Sequence, residues 1–156
     1  FSFLAQHDVA YLQQLHKQFM SEVIEPLILP KAQALIAEHR AAGDELLIIT
    51  ATNRFITQPI GDAFGIPQLL ATEPEKLDGR YTGKVSGVPC YKEGKITRYQ
   101  LWLAQKMQSF EQVTFYSDSH NDLPLLKCVD VPVAVDPDEK LKTYAQQHHW
   151  LILSLR

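Results

Sequence analysis

Two aspartates, Asp118 and Asp122, close the stretch Thr-Phe-Tyr-Ser-Asp-Ser-His-Asn-Asp at positions 114–122. Val113, Phe115 and Tyr116 read as a buried strand, and Ser117 to Asp122 form the loop where it ends. That edge is where α/β sheets bind ligands. Two carboxylates about 4 Å apart repel by about 4 kcal/mol at an effective dielectric near 20. No basic residue lies beside them in sequence, so they call for a divalent cation, a Lys or Arg from elsewhere, or water. Oxygen ligands on a small acidic loop suit Mg²⁺, which keeps several waters and rarely needs a full protein cage. A divalent cation is the expectation.

Further polar groups precede this pair. The apolar run 46–49 ends at Thr50, followed by Ala51, Thr52 and Asn53, and Lys95 follows Gly94. In a parallel sheet the carboxyl ends of all strands lie on one edge, so Thr50 and Asp118 can meet there. Each has a plainer role on its own: Thr50 as a strand terminator, Lys95 as a solvated lysine, the aspartates as loop and cap residues. Together they supply what phosphoryl transfer needs. Hydroxyl and backbone donors hold phosphate oxygens, a lysine offsets charge, and carboxylates hold a metal.

The elements that must position these groups alternate. Val9, Leu12, Leu15, Phe19 and Val23 recur at helical spacing and predict a helix over 8–24, ended by Pro26. Pro30 starts a second helix that Gly43 caps. A strand over 46–49 then delivers Thr50 to a loop, a helix spans 56–64, and 68–71 is a short strand. Glycines at 79, 83 and 87 among Tyr81, Thr82 and Val85 predict a small hairpin or flap. Tyr99, Leu101, Trp102, Leu103 and Met107 predict a helix to about 108, with the aromatic side chains in the core. After the strand at 113, Pro124 lies in the first turn of a short helix that Asn121 or Asp122 could cap. A strand over 131–135, a helix from an Asp138 cap to 147 and a last strand over 150–153 complete the chain. The alternation from Pro30 onward means an α/β layered fold with a mainly parallel sheet.

At 156 residues the chain is long enough to bury one core, and 46% hydrophobic with 21% charged residues is ordinary for a globular protein. A net charge of −3 without a basic run argues against nucleic acid or an anionic membrane as partner. Cys90 and Cys128 form no disulfide framework, and the first residues lack signal-peptide features, so the expected compartment is cytoplasmic. The adjacent His148 and His149 read as surface or cap residues, and Cys90 as an ordinary thiol.

Three segments, in chain order, resemble motifs of the haloacid dehalogenase superfamily. They are the strand ending Thr50-Ala51-Thr52-Asn53, the Gly94-Lys95 segment, and Ser117-Asp118-Ser119-His120-Asn121-Asp122-Leu123-Pro124, and the closest likeness is to the phosphoserine-phosphatase-like branch. The resemblance implies a Rossmann-like three-layer sandwich over 26–156, with a flap near 78–90 and a remnant of a helical cap over 1–25. It implies that Thr50 binds the transferring phosphoryl group, with Thr52 and Asn53 beside it, and that Lys95 stabilises that group. Asp118 would ligate Mg²⁺, Asp122 would support the metal, and Ser119 and Asn121 would hold the loop. Asp136-Pro137-Asp138 and Trp150 also fit the branch, and His149 stands where Gly is expected, a left-handed position that histidine tolerates. Arg54 and Arg98 are candidates to grip a substrate carboxylate.

Enzymes of this kind attack phosphate with the first aspartate of an Asp-x-Asp-x-Thr or Ser motif, forming an aspartyl-phosphate. No such motif precedes Thr50, where the acids are Asp8, Glu22, Glu25, Glu38, Asp44 and Glu45. Asp136-Pro137-Asp138 comes too late and reads as a turn and helix cap. The expectation is a Mg²⁺-dependent phosphomonoester hydrolase acting on a small phosphorylated metabolite, its nucleophile and central first strand lying upstream of these residues. The alternative is a catalytically inactive fragment that binds phosphate, metal or a partner. A receiver domain, which also uses Asp, Thr and Lys, would place its acceptor Asp before the Thr and Lys rather than after.

Overall fold

The computed structural model describes residues 1–106 and 109–156, and the expected helix end at Met107 and Gln108 lies outside them. The chain forms two compact units, Phe1–Cys90 and Tyr91–Arg156, so the boundary expected at residue 25 falls inside the first.

In the first unit, α1 (Ser2–Gln6) precedes α2 (Val9–Phe19), whose first turn is capped by Asp8 accepting from Tyr11 N. The expected single helix over 8–24 is corrected in its last turn: beyond Phe19 the backbone loosens to a π-helical turn at Met20–Ile24 and tightens to a 3₁₀ turn at Glu25–Leu27. Pro26 cannot donate to a helical ladder, which ends the run. Helix α3 (Pro30–Ala42) begins on its proline and ends at Gly43, left-handed at φ 84°. Strand β1 (Leu47–Asn53) leads into α4 (Arg54–Ala63), and β2 (Gln68–Leu77) pairs in parallel with β1. Strand β3 (Arg80–Ser86) returns antiparallel to β2. The reversal rests on Asp78 and Gly79, with φ of 49° and 78°, the two left-handed residues a tight hairpin demands. The expected hairpin is therefore β3 returning along the far end of β2, which is longer than the expected 68–71. Helix α1 packs on β3, and Leu4, Leu12 and Tyr81 form one buried cluster with Val9 and Phe55 against it.

In the second unit, α5 (Glu93–Lys106) precedes a parallel sheet in the order β4 (Thr114–Ser117), β5 (Val131–Val135), β6 (Leu151–Leu153). Helix α6 (Leu123–Leu126) follows β4, and α7 (Glu139–Gln147) joins β5 to β6. Leu126, Ala134, Leu141 and Ala145 make the core, with Phe115, Leu123 and Trp150 packed on it. At the end of α7, His149 holds φ 55° and is exposed, as expected of a histidine in a glycine position. Trp102 is half-buried and stacked on Phe110, its ring centroid 5.9 Å away. Among the described residues no helix is long and apolar enough to cross a membrane.

Candidate functional site

Lys95 does not lie in a loop. Helix α5 begins at Glu93, after Lys92 reverses the chain at φ 48°, and this places Lys95 in its first turn, pointing inward and only 6% exposed. Its Nζ lies 2.6 Å from Asp122 Oδ1. The other carboxylate oxygen of Asp122, itself 8% exposed, accepts from Ser117 Oγ at 2.7 Å. The basic residue the aspartate pair lacked in sequence thus reaches Asp122 from 27 positions away. A buried carboxylate needs such a partner, because leaving it uncompensated costs several kcal/mol.

This corrects the expectation that Asp122 or Asn121 caps α6, since neither side chain caps it. Asp122 is consumed by Lys95 and Ser117, and Asn121 Nδ2 donates to Ser119 Oγ while its Oδ1 accepts from Tyr91 Oη. Ser119 caps instead the 3₁₀ turn His120–Asp122, accepting from Asn121 N.

Asp118 is the opposite case. It is exposed at the carboxyl end of β4, and no hydrogen bond or ion pair engages its carboxylate among the described residues. Its backbone is held on both sides. Ser117 Oγ accepts from Ser119 N, and the carbonyl of Asp118 accepts from Asp138 N at 2.8 Å. Asp138 also takes His120 N and His120 Nδ1 on Oδ2, each at 2.8 Å, and Leu141 N on Oδ1 as the cap of α7. A carboxylate only accepts, so Nδ1 of His120 carries the proton. Partial burial opposes ionisation of Asp138, but the bonds from His120 and Leu141, together with the charge of His120, outweigh it and hold its pKa at about 2. Asp136 is likewise lowered, first by the Ser154 hydroxyl and then by Leu155 N.

The residues at the end of β1 form a different device, inside the first unit. Ile49 pairs with Leu70 and Asn53 with Thr72, so positions 50–52 bulge out of the ladder. The expected loop is therefore the bulged end of the strand. Thr52 N donates to Thr50 Oγ1, Thr52 is exposed, and Asn53 caps α4 by accepting from Ile56 N. Sequence reasoning missed Thr72, which is 3% exposed. Its hydroxyl donates to Ala51 O and accepts from Cys90 N, tying the bulge in place. No spacing in the sequence signals it. Cys90 is buried beside it, its thiol on Leu70 O, as an ordinary thiol would be.

Arg54 is not free to grip a substrate. Its Nε reaches both oxygens of Glu73 at 2.9 and 3.0 Å, Nη1 donates to Gln58 Oε1 and Nη2 to Leu69 O. It forms the wall of an open cleft of about 910 Å³ in the first unit, together with His16, Phe55, Glu73, Lys76 and Tyr81. His16, 8% exposed, is fixed there by Nε2 on Ile56 O and by the edge of Phe55.

The exposed carboxylate of Asp118, which no described residue engages, is a hard oxygen donor of the type Mg²⁺ accepts. Among the described residues no three His, Cys, Asp or Glu gather to form a protein cage. The expected site residues thus fall into two groups, Thr50, Thr52 and Asn53 in one unit and Lys95, Asp118, Ser119, Asn121 and Asp122 in the other.

The sequence profile of haloacid dehalogenase-like hydrolases matches residues 1–127. A histidinol-phosphatase of Neisseria meningitidis serogroup C is 45% identical over 98% of the chain, which spans 71% of that protein. A phosphoserine phosphatase of Mycobacterium tuberculosis is 30% identical over 99% of the chain, which spans 50% of it. A crystal structure of a protein of unknown function from Bordetella pertussis Tohama I superposes with a TM-score of 0.97 at 42% identity, over 99% of this chain and 71% of that one.

Proposed function

The chain belongs to the haloacid dehalogenase-like hydrolase family, and from that premise we propose that it carries the phosphate- and metal-binding half of a Mg²⁺-dependent phosphomonoester hydrolase. The observation that carries the reading is the pairing of a buried, neutralised Asp122 with an exposed, unengaged Asp118 on one five-residue loop. That division is what a hard cation next to a phosphate requires: one carboxylate to meet the ion, and one lysine-bound neighbour that adds little further charge.

Asp118 is assigned to Mg²⁺. When bound, the ion would neutralise the phosphoryl oxygens as charge shifts to the leaving group. In the second unit Lys95 is assigned to holding Asp122, and in the first Thr50 and the backbone of the bulge are assigned to phosphate oxygens. Proton transfer and attack on phosphorus need a further carboxylate pair. The reading assigns the nucleophile to an Asp-x-Asp-x-Thr motif that these residues do not contain, and an aspartyl-phosphate to its attack.

For the leaving group, the names of the two phosphatase relatives point to the phosphate ester of a small amino alcohol. The assay is release of inorganic phosphate by the native protein from histidinol phosphate, phosphoserine and an aryl phosphate, with Mg²⁺ and after chelation. Asp118→Asn should abolish it. Turnover that survives either chelation or Asp118→Asn rejects the assignment. A native protein inactive on every phosphate ester, yet retaining Mg²⁺ affinity, supports the non-catalytic alternative.

A further inference from the structure

We propose that Asp138 is a positioning residue for Asp118, acting through His120 and through the carbonyl of Asp118 itself. This rests on the reading of Asp118 as the metal-binding carboxylate. In sequence Asp138 accounts for itself as a helix cap, and a cap needs one oxygen, which Leu141 N takes at 2.8 Å. The remaining groups of Asp138 are spent on the loop after β4. Its second oxygen takes both the backbone N–H and the ring Nδ1–H of His120, and its own N–H goes to the carbonyl of Asp118.

Asp138 therefore grips the residue whose carboxylate is assigned to the metal and the residue two places later, leaving Ser119 as the span between them. Ser119 is pinned in turn by Ser117 Oγ. Ser117 also donates to Asp122, so the grip on Asp118 and the neutralisation of Asp122 share one hydroxyl. The result is a loop whose backbone is bound at 118, 119 and 120, while among the described residues nothing engages the side chain of Asp118. Geometry of this kind sets a ligand's direction without touching the ion, and loss of such a support typically costs about 10- to 100-fold in metal affinity or activity.

Asp138→Ser separates the two roles. Serine caps a helix about as well as aspartate but its hydroxyl is too short to bridge Leu141 N and His120 together. In the native full-length protein carrying Asp138→Ser, amide exchange of residues 119–122 should quicken roughly tenfold or more, the loss of charge-assisted bonds, while the Leu141 amide keeps its protection. The Mg²⁺ concentration giving half-maximal phosphate release should rise about tenfold or more, with the KM for an aryl phosphate at saturating Mg²⁺ unchanged. His120→Ala, which leaves the cap and both backbone bonds, should move the same two quantities in the same direction by less.

Unchanged exchange at 119–122 in Asp138→Ser overturns the proposal whatever the activity. So does faster exchange with an unmoved Mg²⁺ requirement, which would make the contact structural only. A native protein without Mg²⁺-dependent turnover rejects the phosphatase reading instead. Mg²⁺ binding measured by calorimetry then replaces the kinetic readout, and an affinity equal in native protein and Asp138→Ser overturns the positioning role.

Discussion

Replacing Lys95 by Met tests the centre of the site most directly, because it removes one charge from a buried pair and keeps most of the side chain's volume. Lys95 and Asp122 are 6% and 8% exposed and their charged atoms lie 2.6 Å apart. At an effective dielectric near 20 the attraction is about 6 kcal/mol, and desolvation of the two ions offsets most of it. The pair as a whole therefore contributes little net stability, while either partner alone is a liability. Breaking such a pair costs about 3–5 kcal/mol. Ser117 Oγ still donates to the orphaned Asp122, which puts Lys95→Met near the lower figure, about 3 kcal/mol. Asp122→Asn, which strands the ammonium, should cost at least as much.

The double variant Lys95→Met/Asp122→Asn leaves no buried charge, so it should be more stable than either single variant. Urea unfolding of the native protein and the three variants at pH 7 measures this, provided the slope m is shared. High salt should change the cycle little, since a buried pair is screened far less than a surface one. A Lys95→Met protein within about 1 kcal/mol of native, or single effects that add to within about 0.5 kcal/mol, refutes the reasoning.

Other outcomes follow from single contacts. Asp138 is held at about 2 against an ordinary 3.8. A lowered carboxylate adds stability that is complete above its unfolded value and lost as pH falls through the folded one. The stability gap between native protein and Asp138→Asn should therefore be full at pH 6, shrink below pH 4 and close near pH 2, as followed by acid unfolding; a gap independent of pH contradicts the assignment. Thr72→Val leaves Ala51 O and Cys90 N without their hydroxyl partner. It should cost about 1–3 kcal/mol and loosen the bulge, read as faster amide exchange at 50–53. Gly79 stands at φ 78° with open space around its absent side chain, so Gly79→Ala carries backbone strain and nothing else. Its cost should be about 1 kcal/mol in chemical unfolding, and a stabilised variant would show that the turn is not left-handed.

What could be read from sequence was what repeats or punctuates. Gly43, the Pro30 start and the Asp138 cap each act on a backbone angle or donor within four residues, and each stands where its chemistry puts it. Thr50 and Asp118 were legible because strand ends announce themselves by the change from apolar to polar, whereas Lys95 sits in the first turn of a helix. Partners at long range were not legible. Nothing local to Asp122 points to Lys95, Thr72 resembles any strand threonine, and Arg54 looks like a free cation until Glu73 arrives from the next strand. The pairings of Thr72 and Arg54 depend on the β1–β2 register and on the bulge at 50–52, which one additional residue in either strand would move.

The two aspartates show why local chemistry alone could not divide their roles. In sequence Asp118 and Asp122 are equivalent acids on one loop, and the repulsion between them could be relieved by a cation shared evenly. The turn of backbone from Ser119 to Asp122 sends one carboxylate inward and leaves the other at the strand's end. Burial then decides the partner: an inward carboxylate needs a permanent cation supplied by the fold, and Lys95 is that cation. An outward carboxylate can await an exchangeable one, provided its backbone is already fixed so that binding costs little ordering entropy. The bonds from Asp138 and Ser117 fix that backbone, and Ser117 also serves Asp122, so a change at Ser117 should disturb both carboxylates at once where Lys95→Met disturbs chiefly one. Ser117→Ala should accordingly both destabilise the fold and raise the Mg²⁺ requirement. A Ser117→Ala protein that loses stability but keeps the native Mg²⁺ requirement would show that the two carboxylates are held independently.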